Sequence, residues 1–173
     1  MKRTFAIAAL ILCGFALLFA RDEGLPCPFC QPDVIDKQAF YRGIEVLGIA
    51  THKPAVEGHV LIIPERHVVR FEDLTPSEFS EMGEAIKKVN EAVRRLCGTT
   101  GYLLLQKNGG EAGQSVPHVH FHYIPCSKGA SKALLALKIL LAPWSKPLSA
   151  EQMAPFIADL QSEMSSASMM ESL

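Results

Sequence analysis

The sequence predicts an α+β domain, in which several strands form a sheet that one long helix crosses. Residues 39–50, 58–64 and 102–106 have the β-branched and aromatic composition of strands. Residues 118–122 alternate histidine with apolar side chains, which is the two-residue period of a strand. Residues 75–97 repeat apolar side chains at steps of three and four, as an amphipathic helix does. Strands and a long helix that are segregated along the chain indicate the α+β class.

The whole chain has 173 residues, which is enough for one domain with a sizeable core. Its formal net charge is −1 and its pI is about 6.6, so its electrostatics give no reason to expect a nucleic acid polymer as a partner. Its mean hydropathy of +0.17 is high for a soluble domain and is raised by the N-terminal segment.

That N-terminal segment is a basic pair followed by an apolar run. Lys2 and Arg3 precede residues 5–20, which contain no charged side chain. A signal peptide has this arrangement, and the run is a little shorter than the ~20 residues that span a bilayer. We therefore predict that residues 1–22 are a signal peptide or a membrane anchor that places the domain outside the cytoplasm. The alternative is an accessory helix in a cytoplasmic protein.

A Cys-x-x-Cys motif follows, formed by Cys27 and Cys30. Such a motif alone indicates either a redox pair or half of a zinc site. A redox pair needs a βαβ context that is missing here, and Pro26 and Pro28 favour a turn over a helix start with a reactive thiolate. The other cysteines are isolated, so we predict no disulfide framework.

The central strand and the long helix have clear sequence boundaries. Residues 60–63 are a continuous apolar run, as expected of a strand buried on both faces. Thr75 is the predicted N-cap of the helix, Glu78 completes a capping box, and Gly98 ends the helix. The predicted apolar stripe consists of Phe79, Met82, Ile86, Val89, Val93 and Leu96.

The histidine-rich strand comes directly after a glycine-rich loop. His118, His120 and His122 occupy alternate positions, so their side chains should project from one face. Residues 108–113 contain three glycines, which let backbone N–H groups approach an anion closely. A polar row beside such a loop favours phosphate chemistry.

Strand geometry disfavours one metal ion held by all three histidines. The Cα atoms of His118 and His122 would lie about 13 Å apart, at a rise of roughly 3.3 Å per residue, whereas a zinc–nitrogen bond is about 2.1 Å. The three histidines are therefore expected to have different roles.

The histidine row and the residues before it resemble a known family. His118-Val119-His120-Phe121-His122-Tyr123-Ile124 matches the His-φ-His-φ-His-φ-φ signature, where φ is apolar, and Gly113-Gln114-Ser115-Val116 precedes it. On these residues the chain resembles the histidine triad (HIT) family of nucleotide hydrolases and transferases, over about residues 27–126. The resemblance implies a HIT-like fold, an antiparallel sheet of about five strands with a long helix packed on it, and a homodimer.

The same resemblance implies the roles of the site residues. His120 would attack the α-phosphorus of a nucleotide and form a nucleotidyl-histidine, which water resolves. Its other N–H needs an acceptor, which we expect to be a backbone carbonyl. His122 and Ser115 would be the other catalytic residues and would also contact the phosphate. The remaining expected substrate contacts come from Asn108, Gly113 and Gln114, with His59 supporting the cluster from the adjacent strand.

A metal site is also implied by the resemblance. Gly58-His59 before an apolar strand that ends in Pro64-Glu65-Arg66-His67 resembles the second segment of the family. In that segment His67 joins Cys27 and Cys30, and His118 completes a closed Cys₂His₂ set. A structural zinc ion is therefore the expected cofactor.

Departures from the family pattern refine the expected function. Thr51 stands where the ribose-binding acid is usual, and Cys126 where a basic residue often follows. His122, where the transferase branch has glutamine, favours hydrolysis. We predict a hydrolase that acts on a nucleotidyl phosphoramidate or phosphoanhydride. The alternatives are a zinc-stabilised nucleotide-binding module without turnover and a nucleotidyltransferase.

The chain beyond the resemblance is predicted to be helical. Residues 130–141 form an apolar helix, and Ser149 begins a final helix that ends near Met164. Residues 165–173 are rich in serine and methionine and are expected to be disordered. The predicted organisation is the N-terminal segment of residues 1–22, a HIT domain of residues 25–127, a helical extension of residues 128–164 and the tail.

Overall fold

A computed structural model describes residues 26–171, which form a five-stranded antiparallel sheet and four α-helices. The strands are β1 (Ala39–Arg42), β2 (Val46–Ala50), β3 (Val60–Pro64), β4 (Gly101–Gln106) and β5 (Phe121–Cys126), in the order β1-β2-β3-β5-β4. The helices are α1 (Pro32–Gln38), α2 (Pro76–Cys97), α3 (Lys132–Leu141) and α4 (Ala150–Glu171). The predicted α+β fold, with a long helix on a five-stranded antiparallel sheet, is confirmed.

The central strand β3 is buried on both faces, as its continuous apolar run predicted. Val60 and Ile62 pack with α2 on one face of the sheet, whereas Leu61 and Ile63 pack on the other face with Ile35 of α1. Because side chains alternate along a strand, a single apolar strand supplies both halves of the core. His122 pairs with Leu61 across the sheet, so its side chain lies on the α1 face.

The first predicted strand, residues 39–50, is in fact a hairpin of β1 and β2. The Gly43 N–H donates to the Val46 carbonyl at 2.8 Å and closes the turn. The N–H groups of Ile44 and Glu45 donate to the two carboxylate oxygens of Glu81 at 2.7 and 2.9 Å. Glu81 belongs to α2, far away in the sequence, so no local signal predicted the turn.

Helix α2 begins and ends where predicted, but the ends of its apolar stripe are exposed. Met82, Val89 and Val93 are buried, whereas Phe79 is 56% exposed. At the C-terminus Gly98 adopts φ 63°, a left-handed conformation that glycine accepts readily, and its N–H donates to the Arg94 carbonyl. The stripe therefore packs on the sheet mainly through its middle.

A buried carboxylate holds the start of α2. Thr75 Oγ1 accepts the Glu78 N–H at 3.1 Å and a Glu78 carboxylate oxygen accepts the Thr75 N–H at 2.8 Å, so the predicted capping box is present. Arg66 donates from Nε and Nη2 to the two oxygens of Glu78, both at 2.8 Å. The Glu78 side chain is 2% exposed, and the hydrogen bonds from Arg66 lower its pKa from the ordinary value.

Replacing Glu78 with glutamine should lower the free energy of unfolding at pH 7 by about 1.5–3 kcal/mol, the range for hydrogen bonds to charged groups. The lower end is expected because Arg66 is about half exposed. A depressed carboxyl pKa stabilises the fold above the unfolded value and ceases to do so as the pH falls through the folded value. In urea unfolding, the difference between wild type and variant should therefore narrow below about pH 4.5. Glu84→Gln, which disrupts the exposed ion pair with Lys87, should lower the free energy of unfolding by less than about 0.5 kcal/mol. An equal decrease in the Glu78 and Glu84 variants would contradict this account.

The C-terminal extension is helical, and its last helix is longer than predicted. Helix α4 packs against α1, α2 and β1, and it buries Leu160 and Met164 in the core. It continues to Glu171, and the hydroxyls of Ser165 and Ser166 donate to carbonyls of the preceding turn at 2.8 and 2.9 Å. The expectation of disorder from residue 165 onward is therefore corrected as far as Glu171.

The predicted membrane attachment or export also has to be corrected. Within residues 26–171 no helix is long and apolar enough to cross a membrane. The apolar segment of residues 1–22, on which that prediction rested, lies outside the described residues. Because no such helix is found among residues 26–171, we withdraw the prediction of a domain held at a membrane or outside the cytoplasm.

Candidate functional site

The histidine row begins before the strand that was predicted to carry it. Strand β5 starts at Phe121, so of the three histidines only His122 lies within it. The N–H of Val119 donates to the Val68 carbonyl at 2.6 Å, outside the sheet ladder. With this contact to the segment after β3, the strand begins three residues later than predicted. The three imidazole rings have different hydrogen-bond partners.

His120 is buried, and a hydrogen bond fixes the proton on one of its two ring nitrogens. Its Nδ1–H donates to the His118 carbonyl at 2.7 Å, which is the kind of backbone acceptor that we expected. This hydrogen bond sets the tautomer and leaves the Nε2 lone pair as the reactive position. Burial lowers the pKa of His120, so the ring is neutral at pH 7. A neutral imidazole with a fixed tautomer is a competent nucleophile.

His122 receives its orientation from His59. The Ala55 N–H donates to His59 Nδ1 at 3.0 Å, so the proton of His59 must lie on Nε2, which is 3.0 Å from His122 Nδ1. His122 then carries its own proton on Nε2 and can donate it to a ligand. Burial, with the charges of His120, His59 and Lys107, lowers the pKa of His122 to about 3, and burial lowers that of His59 to about 4. Both rings are neutral donors at pH 7.

His59, Ser115, His120 and His122 all line one cavity of about 610 Å³. In the part of the chain that the structure describes, three lysines also line it, and none of the lining residues is an Asp or a Glu. These lysines are Lys37, Lys53 and Lys107. The cavity is therefore cationic, which suits an anionic ligand.

Lys107 was missed by sequence reasoning, although it directly precedes the glycine loop. Its ammonium would lie 3.8 Å from a Cβ atom built on Gly113, so it stands beside the loop. Lys107 lines the same cavity as His120 and His122, and its charge contributes to lowering the pKa values of both histidines. A single lysine carries no pattern, so only its position before the loop could have indicated a role.

The glycine loop itself is held by two of the predicted substrate residues. Asn108 accepts the Phe71 N–H at 2.8 Å and donates to a Glu72 carboxylate oxygen at 2.7 Å. Gln114 accepts the Gly109 N–H at 2.7 Å and donates to the Val69 carbonyl at 2.9 Å. Neither side chain lines the cavity. In this structure both anchor the loop to residues 69–72.

Gly113 has φ 79° at the end of a short 3₁₀ helix, Gly110–Ala112. This left-handed conformation is one that residues with a Cβ rarely adopt. It turns the chain toward Ser115, which reaches the cavity wall beside Val116. The loop thereby brings Ser115 to the same cavity as His120.

Two cysteines and two histidines meet next to His120. The ligand atoms of Cys27, Cys30, His67 and His118 all lie within 4.8 Å of one another, so this cluster could hold a metal ion. His118 Nδ1 is 3.4 Å from Cys27 Sγ and 3.6 Å from Cys30 Sγ, and His67 Nδ1 is 3.2 Å from Cys30 Sγ.

Hydrogen bonding orients the ligands of this cluster. His118 Nε2–H donates to the Pro64 carbonyl at 2.9 Å, which directs Nδ1 toward the two thiols. Burial lowers the pKa of His118 to about 4, so its ring is neutral, as a metal ligand must be. Phe29, between the two cysteines, packs edge-on against His118 and His120, with ring centroids 5.7 and 5.5 Å apart. The cluster and the cavity therefore share a wall.

Comparison with known proteins finds one family. Residues 33–129 match the sequence model of the HIT domain. Asymmetrical bis(5'-nucleosyl)-tetraphosphatase of Schizosaccharomyces pombe is 38% identical over 94 residues, 54% of this chain and 52% of that protein. An uncharacterised HIT-like protein of Methanocaldococcus jannaschii is 35% identical over 105 residues, 60% of this chain and 81% of that protein. The chain thus spans about half the length of the first of these relatives.

Solved structures have the same fold. A HIT family protein from Bacillus anthracis has a TM-score of 0.54 and 27% identity, over 73% of this chain and 100% of that chain. A zinc-bound histidine triad family protein from Mycobacterium smegmatis has a TM-score of 0.63 and 24% identity, over 83% of this chain and 96% of that chain.

Proposed function

The chain belongs to the HIT family, and from this premise we propose that it is a nucleotide hydrolase that works through a nucleotidyl-histidine intermediate. The observation that carries the proposal is the state of His120. Its Nδ1–H is fixed on the His118 carbonyl, its ring is neutral, and it lines a cationic cavity. These are the properties of a nitrogen nucleophile directed at a phosphorus atom.

In the proposed first step, His120 Nε2 attacks the α-phosphorus of the substrate. The new N–P bond forms as the bond from phosphorus to the leaving group breaks, and the leaving group departs with the bonding electron pair. Positive charge develops on the imidazole and is stabilised by the His118 carbonyl that accepts Nδ1–H. In this proposal His122 Nε2–H stabilises the phosphoryl oxygens, and Lys107 stabilises the negative charge on the leaving group. In the second step a water oxygen bonds to phosphorus as the N–P bond breaks, and the water gives up one proton to solvent. The bonding electron pair returns to His120 Nε2, so the imidazole is neutral again.

The charges of the cavity favour a phosphoanhydride over a phosphoramidate as the substrate. Cleavage of a phosphoanhydride releases an anionic leaving group, whereas a phosphoramidate releases an amine. Among the described residues Lys37, Lys53 and Lys107 line the cavity, and no Asp or Glu does. Lys37 also lies 3.7 Å from the Asp33 carboxylate, whereas Lys53 and Lys107 have no carboxylate among the lining residues. The name of the fission yeast relative, a bis(5'-nucleosyl)-tetraphosphatase, agrees with this choice. We therefore propose dinucleoside polyphosphates as the substrate class.

Replacing Lys107 with glutamine should lower kcat/KM for a dinucleoside polyphosphate by about 10- to 100-fold, the effect of losing one charged contact. A nucleoside phosphoramidate, with its uncharged leaving group, should lose much less. Lys128→Gln makes the same change of charge at an exposed position away from the cavity and should have no effect. Steady-state kinetics with both substrates tests this. Equal losses for the two substrates would contradict the role of Lys107, and tight binding without turnover would instead indicate a nucleotide-binding module.

For the metal cluster we propose a structural zinc ion. Bond lengths of about 2.0–2.3 Å place tetrahedral ligands about 3.3–3.8 Å apart, and three ligand pairs here lie between 3.2 and 3.6 Å. Two thiolates and two imidazoles are a ligand set that zinc prefers. With all four positions occupied by protein, the ion would fix His118, whose carbonyl holds His120. No step of the reaction passes through it.

The predicted homodimer stays a proposal. Strand β4 lies at the edge of the sheet, and Tyr102, Leu103 and Leu104 are each more than 40% exposed there. An apolar, unpaired edge strand is a surface that a second copy can cover.

A further inference from the structure

The outer wall of the substrate cavity comes from the C-terminal extension of the same chain. Residues 139–153, here called the C-terminal wall, run from the end of α3 into α4. The lining residues that they contribute are Ile139, Ala142, Pro143, Leu148, Ala150 and Met153. All six lie beyond residue 129, where the match to the HIT domain ends. The cavity is therefore lined by both the HIT domain and the C-terminal extension.

Two hydrogen bonds hold the C-terminal wall against the loop that follows β2. Lys53 Nζ donates to the Pro143 carbonyl at 2.7 Å, and the Leu148 N–H donates to the His52 carbonyl at 2.8 Å. At the C-terminal end of the wall, Met153 is 5% exposed, and α4, which continues from there, packs on the core. The wall is thus a supported surface with contacts at both of its ends.

The chemistry of the C-terminal wall differs from that of the phosphate-directed groups. The six side chains that it presents to the cavity are apolar, and Val34, Leu61 and Leu105 of the HIT domain line the same cavity. His120, His122 and Lys107 supply the groups that suit a phosphate. A ligand that satisfies both surfaces is a phosphate joined to an apolar, planar group, which is the composition of a nucleotide.

Thr51 stands where the family resemblance places a ribose-binding acid, and it is a poor anchor for a nucleoside. Thr51 lines the cavity, and its Oγ1 accepts the Lys53 N–H at 3.3 Å. A hydroxyl engaged in this way holds a sugar less firmly than a carboxylate would. Affinity for the nucleoside must therefore come from another surface.

We infer that the C-terminal wall determines recognition of the nucleoside, by packing its apolar side chains against the nucleobase. The inference rests on the proposed function, because it takes a nucleotide as the ligand. Apolar packing distinguishes nucleobases by their size and not by the hydrogen-bonding groups at their edges. The protein should consequently accept different bases, with larger bases bound more tightly.

The test compares AMP with ribose 5-phosphate, which has the phosphate and sugar but no base. In Ile139→Ala and in Leu148→Ala, calorimetry should find AMP bound about tenfold more weakly, the effect of removing apolar contacts from a pocket. Ribose 5-phosphate should bind within about twofold of wild type. Leu137→Ala is the matched control, because Leu137 lies on helix α3 with Ile139, is 49% exposed and does not line the cavity. It should bind both ligands as wild type does.

The inference is overturned if AMP and ribose 5-phosphate lose affinity equally in the two wall variants, or if Leu137→Ala weakens AMP as much. Failure of wild type to bind AMP overturns it as well. Should both wall variants fail to fold, the single tryptophan replaces them, since Trp144 is adjacent to Pro143. AMP should then change the Trp144 emission of wild type and ribose 5-phosphate should not, and saturation with AMP without any change refutes the inference.

Turnover is measured separately, so the two proposals can fail independently. Binding of AMP that depends on its base, without hydrolysis of any nucleotidyl compound, would refute the proposed hydrolase activity and support base recognition by the C-terminal wall. Hydrolysis together with base-independent binding would refute the wall and support the hydrolase.

Discussion

A protein with His120 replaced by asparagine should fold, bind nucleotide and lose at least about 10⁴-fold in kcat/KM, since removal of a covalent nucleophile closes a whole reaction channel. Asparagine is polar and smaller than histidine, so it fits the buried site beside the His118 carbonyl without placing a charge there. Steady-state kinetics with a dinucleoside polyphosphate measures the loss, and calorimetry with AMP measures the retained binding.

His122→Ala serves as the comparison for this variant. It removes one preorganised donor, so a loss on the order of 10²–10³ in kcat is expected. His118→Ala should differ from both, because it removes a ligand of the metal cluster and loosens the fold. A fully active His120→Ala protein would refute the mechanism, and equal losses in all three variants would contradict the separate roles of the histidines.

The second large effect concerns the metal cluster. One zinc ion per chain should be found by elemental analysis of protein purified without added metal, and Cys27→Ser should lose it. Binding of structural zinc is worth about 10–16 kcal/mol in small zinc domains, and here part of that energy would support the fold. Thermal unfolding should therefore shift strongly downward in Cys27→Ser and in wild type treated with a chelator.

Cys126→Ser is the matched control, because Cys126 is a thiol outside the cluster. It should keep the zinc and most of the stability. Burial and the neighbouring Cys30 raise the pKa of Cys27 to about 11 when no ion is bound, so zinc binding must release a proton there. Affinity for zinc should consequently fall as the pH is lowered. A Cys27–Cys30 disulfide, or protein without stoichiometric zinc, would contradict the proposal.

The elements that the sequence predicted correctly are those whose signals are local. Helix α2 carries its capping box at Thr75 and its terminating Gly98 within its own segment. Strand β3 is apolar throughout because both of its faces are buried. The four candidate metal ligands come from three segments of the chain, and they could be grouped only because these segments resembled a known family.

The elements that the sequence did not predict depend on distant partners. The turn between β1 and β2 is held by Glu81, which lies in α2. The late start of β5 follows from the hydrogen bond between Val119 and Val68. Asn108 and Gln114 hold the glycine loop through Phe71 and Gly109, which the sequence did not indicate, and their contact with a substrate stays a prediction.

Functional residues that line the cavity were also hard to predict from the sequence when they depend on the tertiary fold. Lys107 and the C-terminal wall reach the site only through the tertiary fold, because neither a single lysine nor an apolar helix indicates which cavity it lines. The residue types of the histidine row could be recognised from the sequence, whereas the surfaces that we propose to select the substrate could not.

The central claim is that His120 carries the nucleotidyl group during turnover, and trapping that adduct tests it most directly. Wild-type protein is mixed with a dinucleoside polyphosphate, quenched within the first turnover and digested, and its peptides are analysed by mass spectrometry. The account predicts one nucleotidyl group on His120 of the peptide that contains the histidine row, and none in the His120→Asn protein. Turnover that leaves His120 unmodified at every quench time, or an adduct on another residue, would contradict it.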